Sequence, residues 1–156
     1  MRFTILAAEW NAKLVALAKV MNSKVALPIY STFLLELKDG VLRIRASDMD
    51  CSRCSTLPVM DMDRANEHNG SLCVTASFLL DSLKNLGDQP VTFEADEENL
   101  SVVIRYNNGQ FDMVGFPAKD YALPGTMGKS VQVTIEASVL NDSIGKSLYA
   151  VGNDDL

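Results

Sequence analysis

A chain of 156 residues with 47% apolar and 22% charged side chains is an ordinary globular sequence with enough apolar content for a core. No apolar run approaches the roughly 20 residues that would carry a helix across a bilayer, which excludes a helical membrane span on sequence grounds. The formal net charge of −6 argues, as a sum, against a surface that is basic throughout, the usual footprint of a nucleic-acid binder.

The N-terminus, Met1-Arg2-Phe3-Thr4-Ile5, alternates like a strand. It lacks the apolar core and small-residue cleavage site of a signal peptide, and a cytoplasmic protein is expected. Glu9 to Met21 places Trp10, Leu14, Leu17 and Met21 on one helical stripe. A meander follows: Phe33, Leu35 and Leu37 on one face of a strand, a turn at Asp39-Gly40, a returning strand with Leu42, Ile44 and Ala46, and a third strand from about Ser47 to Leu57.

The same order then recurs. Leu72–Thr75 reads as a strand, and Thr75 is placed to N-cap a helix running through Leu79, Leu83 and Leu86 to a stop at Gly87. Val91, Phe93 and Ala95 alternate in the next strand, then Leu100, Val102, Ile104 and Tyr106, then Phe111 and Met113. Asn108-Gly109 carries the signature of a two-residue type I′ turn, whose central residues both need positive φ. Residues 1–57 and 71–116 are thus two β-α-β-β-β units, a duplication at a period of roughly 70 residues. The expected fold class is α+β, with antiparallel sheets and helices on one face.

A third unit begins and does not finish. Pro117, Pro124, Gly125 and Gly128 mark a break around 121–130, before a predicted strand at Val131–Ile135 and a helical stripe of Leu140, Ile144, Leu148 and Val151. A strand and a helix alone leave an apolar side without a partner layer. The expected organisation is one full domain at 1–120, a linker at 121–130, and the opening of a second domain at 131–156, in a chain that is a piece of a longer protein.

Charge is unevenly distributed. Trp10 to Leu27 contains Lys13, Lys19 and Lys24 and no acid, and the helical wheel sets Lys19 opposite the apolar stripe. Acids gather in strands, turns and loops: Glu36, Asp39, Asp48, Asp50, Asp61, Asp63 and Glu94 to Glu98. The expectation is a basic helix side and an acidic sheet side. Lys84 near Asp81 and Lys146 after Asp142 add less.

Other chemistry is thinly represented. Three cysteines, an odd number, fit free thiols in a reducing compartment. Cys51-x-x-Cys54 with Cys73 and His68 raises the alternative of a small zinc or redox module. Against it, a spacing of three on a strand puts Cys51 and Cys54 on opposite faces, and a redox pair normally opens a helix. Asp48/Asp50 and Asp61/Asp63 lack a closing acidic ligand and read as turn and loop solvation. No nucleophile elbow, phosphate-binding glycine loop or paired catalytic acid is present, so no enzyme activity, cofactor or metal is expected.

Several short motifs in order then carry a family resemblance. Met1-Arg2-Phe3-Thr4-Ile5, Leu27-Pro28-Ile29, Asp39-Gly40 before Leu42-Arg43-Ile44, Ser47-Asp48-Met49-Asp50 and Phe116-Pro117-Ala118-Lys119-Asp120-Tyr121 resemble the bacterial DNA sliding clamps, the beta subunits of the DNA polymerase III holoenzyme. The similarity covers the whole chain and about the first two-fifths of a family member.

The resemblance implies three duplicated domains per full-length chain and two chains closing head to tail into a ring. Helices would line the hole around double-stranded DNA, without sequence readout, and sheets would form the outer wall. By the same resemblance the ring would be a processivity factor that tethers the catalytic subunit of DNA polymerase III in the cytoplasm, on the nucleoid. Its partner-peptide pocket, and with it the polymerase and clamp-loader contacts, lies beyond this stretch. DNA-facing positions would be Lys24 first, then Lys19 and Lys13, with Lys84, Lys146 and Asn153 weaker; Asp154 stands where a neutral polar residue is expected. Ring closure would use Phe111, Met113 and Gln110 on the last meander strand, with Ser82 and Leu86 on the second helix. Asn108 and Gln110 replace the basic residues expected at that edge.

Overall fold

The structure, a computed structural model, describes residues 1–21, 27–60, 69–123, 128–129 and 131–151. Met1–Pro124 forms one compact unit and Gly125–Leu156 another. In the first unit β1 (Arg2–Leu6) leads into α1 (Ala7–Ala18), and a tight turn at Pro28–Ser31 opens β2 (Thr32–Lys38), β3 (Val41–Ser47) and β4 (Ser52–Pro58). The second repeat is β5 (Gly70–Thr75), α2 (Ala76–Leu83), β6 (Pro90–Ala95), β7 (Ser101–Tyr106) and β8 (Gly109–Val114), with a two-residue β9 at Phe116–Pro117.

The repeats exchange their first strands. One sheet runs β1-β6-β7-β8 and the other β4-β3-β2-β5-β9. Thus β1 pairs antiparallel with β6 of the second repeat, Phe3 opposite Phe93, while β5 pairs with β2 of the first, Leu72 opposite Leu35. Each helix carries the chain from one sheet to the other. The ends cross as well: the Met60 N–H donates to the Thr4 carbonyl at 2.8 Å beyond β4, and Phe116 lies opposite Cys73 beyond β8. Gly115 stands at the second crossing, where a Cβ would lie 2.6 Å from Leu72 Cδ2 and 2.8 Å from the Cys73 carbonyl.

The core lies between the helix layer and the inner sheet faces. Ala7, Trp10, Leu14 and Leu17 on α1 are buried, as are Ala76, Leu79 and Leu83 on α2. Leu86, the matching residue beyond α2, is half-buried. Trp10 stands edge-on to Phe3 and Phe93 at 5.4 and 5.8 Å, and those two rings stack at 4.9 Å. Each fully buried aliphatic or aromatic side chain here contributes about 1.5–3 kcal/mol. A smaller cluster of Tyr30, Leu34, Cys73 and Tyr121 covers the outward face of the five-stranded sheet.

Several local expectations shift. The first helix begins and ends earlier than Glu9–Met21, because β1 turns into it directly at Leu6. Thr75 holds the N-cap position of α2 without a side-chain cap hydrogen bond. The type I′ geometry occurs at Asp39-Gly40, at φ 50° and 75°. The second hairpin turns one residue earlier than predicted, at Asn107-Asn108, with Tyr106 opposite Gly109 and neither turn residue at positive φ. β4 starts at Ser52, since Ser47–Cys51 is held as a loop: Asp48 Oδ1 accepts the Cys51 N–H at 2.7 Å and Ser47 Oγ donates to the Cys51 carbonyl at 2.9 Å.

In the Gly125–Leu156 unit, α3 (Ala137–Ser147) continues into a tight turn at Leu148–Ala150. Val131–Ile135 is not a strand: it pairs with no other described residues, and Val131 and Val133 are exposed. Alternation supplies a face, but a strand also needs a neighbour to accept its hydrogen bonds.

Candidate nucleic-acid interface

α1 and α2 pack side by side, so their exposed faces form one surface. On α1 that surface carries Glu9 in the first turn, Lys13, and Lys19 at the C-cap, between the small side chains of Ala8, Ala12 and Ala16. Lys13 and Lys19 are exposed. Lys84 caps α2 but donates to Asp81 at 2.7 Å, so its charge is locally cancelled. An exposed pair of that kind contributes little to stability, but it removes net charge from the surface. Lys146 lies in the last turn of α3, exposed, in the other unit. Lys24 and Asn153 lie outside the described residues.

One cation on this side is missed by reading helices alone. Arg53 on β4 stands opposite Ala46, a core residue, and so projects from the helix-facing side of its sheet. Its Nη1 donates to the Ala16 carbonyl at 2.8 Å. The signal was available in the alternation of β4, where Arg53 shares a face with the buried Leu57.

The outward sheet faces are balanced rather than acidic. Glu94 accepts from Arg2 at 3.2 Å and Arg105 at 3.3 Å, and Glu36 pairs with Arg45 at 3.0 Å. Counting acids along the sequence overlooked the arginines that alternation places beside them. Among the described residues, electrostatic contrast between the two sides therefore comes from arginine–carboxylate pairs outside and, inside, from Lys13 and Lys19, which have no ion-pair partner there.

At the free edge of the four-stranded sheet, β8 pairs only with β7 among the described residues. Phe111 and Met113 are half-buried against the core, and Phe111 stacks on Tyr106 at 5.0 Å. Ser82 is buried and Leu86 half-buried. Gln110 is exposed on the opposite face, taking a hydrogen bond from Arg105 and donating to Asp112 at 3.0 Å. The edge backbone, with Gln110, Asp112 and Val114, is the accessible part of this group.

The cysteines do not converge. Cys51 is exposed in the β3–β4 loop, Cys54 is exposed on the outward face opposite Arg45, and Cys73 is buried. Burial, offset in part by a hydrogen bond with Thr32, pushes the Cys73 thiol from 9.0 up to about 12. Among the described residues no group of three His, Cys, Asp or Glu side chains is placed to hold a metal. The zinc or redox alternative is therefore not supported; His68, Asp61 and Asp63 lie outside the described residues. Burial likewise raises the Tyr121 hydroxyl from 10.0 to about 12. Among the described residues no helix is long and apolar enough to cross a membrane.

Residues 1–124 match the family described as DNA polymerase III beta subunit, N-terminal domain. The chain belongs to that family. Among its relatives, the beta sliding clamp of Vibrio cholerae is 24% identical over all of this chain and 41% of its own length. That of Bacillus subtilis is 23% identical over 99% of this chain and 42% of its own. Solved beta subunits share the fold. The DNA polymerase III subunit beta from Pseudomonas aeruginosa superposes with a TM-score of 0.86 at 22% identity, and the Caulobacter crescentus pol III beta with 0.87 at 21%. Each covers all of this chain and 41% of the solved one. The chain thus spans about two-fifths of the length of the beta subunits it matches.

Proposed function

We propose that this chain supplies the first duplicated domain, and the opening of the next, of a ring that encircles duplex DNA and tethers the replicative polymerase. The observation that carries the reading is the shared helix layer of a beta-subunit fold, with Lys13 and Lys19 exposed on it, while Glu36 and Glu94 on the outward sheet faces are paired to arginines. Contacts between such lysines and phosphates are sequence-independent and screened by salt, so they guide a duplex without fixing it. Processivity then comes from topology, and the protein acts without catalysing a reaction.

Membership of the family supports the remaining parts of the reading. Lys24 joins Lys13 and Lys19 on the DNA side, with Lys84, Lys146 and Asn153 as weaker contacts. Two full-length chains close head to tail, using the β8 edge with Phe111, Met113 and Gln110, and Ser82 and Leu86 from the second helix region. The polymerase catalytic subunit and the clamp loader dock outside this stretch. The ring works in the cytoplasm on the nucleoid.

Topology provides the test. Full-length protein loaded on nicked circular DNA is expected to co-elute with it and to be lost when one restriction cut linearises the circle. Equal retention on circular and linear DNA overturns the ring.

A further inference from the structure

The C-terminal end of α1 poses an electrostatic problem. A helix C-terminus carries roughly half a negative charge on its last carbonyls, and α1 has no basic residue in its last turn, with Lys19 following at the C-cap. A surface meant to pass along phosphates is poorly served by such an end. The backbone there tightens: Val20 N–H turns to the Leu17 carbonyl at 3.1 Å and Met21 N–H to that of Ala18 at 3.0 Å. The Ala16 carbonyl takes its donor from Arg53 Nη1, across from a different sheet strand.

A hydrogen bond to a neutral carbonyl leaves the guanidinium charge intact and uses one of its five N–H groups. Arg53 remains exposed, on the helix-facing side of β4, close to where Lys19 caps the same helix end. Among the described residues no carboxylate pairs with it, unlike Arg2, Arg45 and Arg105 on the outward faces. Its planar fork also suits a phosphate better than a lysine does.

From this juxtaposition we propose that Arg53 is a DNA-phosphate contact, held in position by the end of α1 and making one cationic spot with Lys19. The proposal rests on the ring reading above and adds to it a residue supplied by a sheet rather than a helix.

The test compares equilibrium binding of full-length wild type, Arg53→Gln and Arg53→Lys to short linear duplex across a salt series, since a ring threaded on a closed circle is held by topology. Each phosphate contact steepens the log–log salt dependence by about 0.9. Arg53→Gln, which removes the charge and keeps a polar side chain, is expected to reduce the slope by about that amount per copy in contact. Arg53→Lys is expected to keep it. An unchanged slope in Arg53→Gln reduces Arg53 to a helix cap and overturns the proposal, while topological retention of the wild type leaves the ring standing. Wild-type retention that ignores topology overturns both. Should Arg53→Gln fold poorly, arginine-selective dicarbonyl labelling of the wild type decides: Arg53 is protected on circular DNA and exposed again after linearisation, and labelling unaffected by DNA overturns the assignment.

Discussion

The two repeats have one topology and two surfaces. Ala7, Trp10, Leu14 and Leu17 recur as Ala76, Leu79, Leu83 and Leu86, and each repeat gives its first strand to the other's meander. What differs is what the core does not constrain. The first repeat has the longer helix and keeps Lys13, Lys19 and Arg53 on the helix side; in the second, Lys84 is tied to Asp81. Duplication has preserved the apolar spacing that closes the fold and left the outer positions free to specialise.

That contrast breaks most visibly in the core. Trp10→Ala is expected to cost about 3–5 kcal/mol, and Leu79→Ala about 2–5 with a lower value than Trp10, because the larger Trp10 side chain also bridges the Phe3 and Phe93 rings. Urea unfolding followed by far-UV dichroism measures both; equal costs would mean that the aromatic cluster adds nothing to the first half. The hairpins come next. Gly40→Ala forces a Cβ into the left-handed region and should cost about 1–2 kcal/mol. Asn108→Ala, at a position without positive φ, should stay within about 0.5 kcal/mol. Similar losses at the two turns would contradict the difference in turn geometry.

The Tyr30, Leu34, Cys73 and Tyr121 cluster joins the halves and gives a pH signature. Both Cys73 and Tyr121 titrate higher in the folded state than their ordinary 9.0 and 10.0, near 12. Folding therefore favours their neutral forms. Their stabilising contribution is complete below pH 9 and declines as pH rises toward about 12, since the unfolded chain loses its protons first. Cys73→Ala should flatten the alkaline decline, and a decline of unchanged steepness would count against the buried thiol. The smallest effect is expected at Thr75→Ala: an N-cap oxygen usually contributes about 0.5–2 kcal/mol, but Thr75 makes no cap hydrogen bond, so the loss should fall below that range. A full capping loss in thermal unfolding would show the bond forming in solution.

Sequence carried the elements well wherever burial on one face imposed a period. Leu35, Leu37, Leu42, Ile44, Val102 and Ile104 all lie in the core as alternation required. It did not carry the strand exchange, because a period reports which face is buried and not which neighbour supplies the hydrogen bonds. Nor did Asn108-Gly109 behave as its dipeptide suggests; the Tyr106–Gly109 pairing places the turn one residue earlier. For the candidate site, helical position correctly exposed Lys13 and Lys19. Arg53 escaped because its partner, the Ala16 carbonyl, is a backbone atom distant in sequence.

The central claim is that the helix layer faces DNA while the sheets face away, and lysine acetylation footprinting of the DNA-loaded, full-length protein tests it directly. Lys13 and Lys19 sit on the helix side, and Lys38, at the end of β2, follows Leu37 of the core onto the outward face. Threading onto a circle should slow acetylation of Lys13 and Lys19 and leave Lys38 unchanged. Protection of Lys38 with Lys13 and Lys19 still reactive would place the duplex on the wrong side of the sheets.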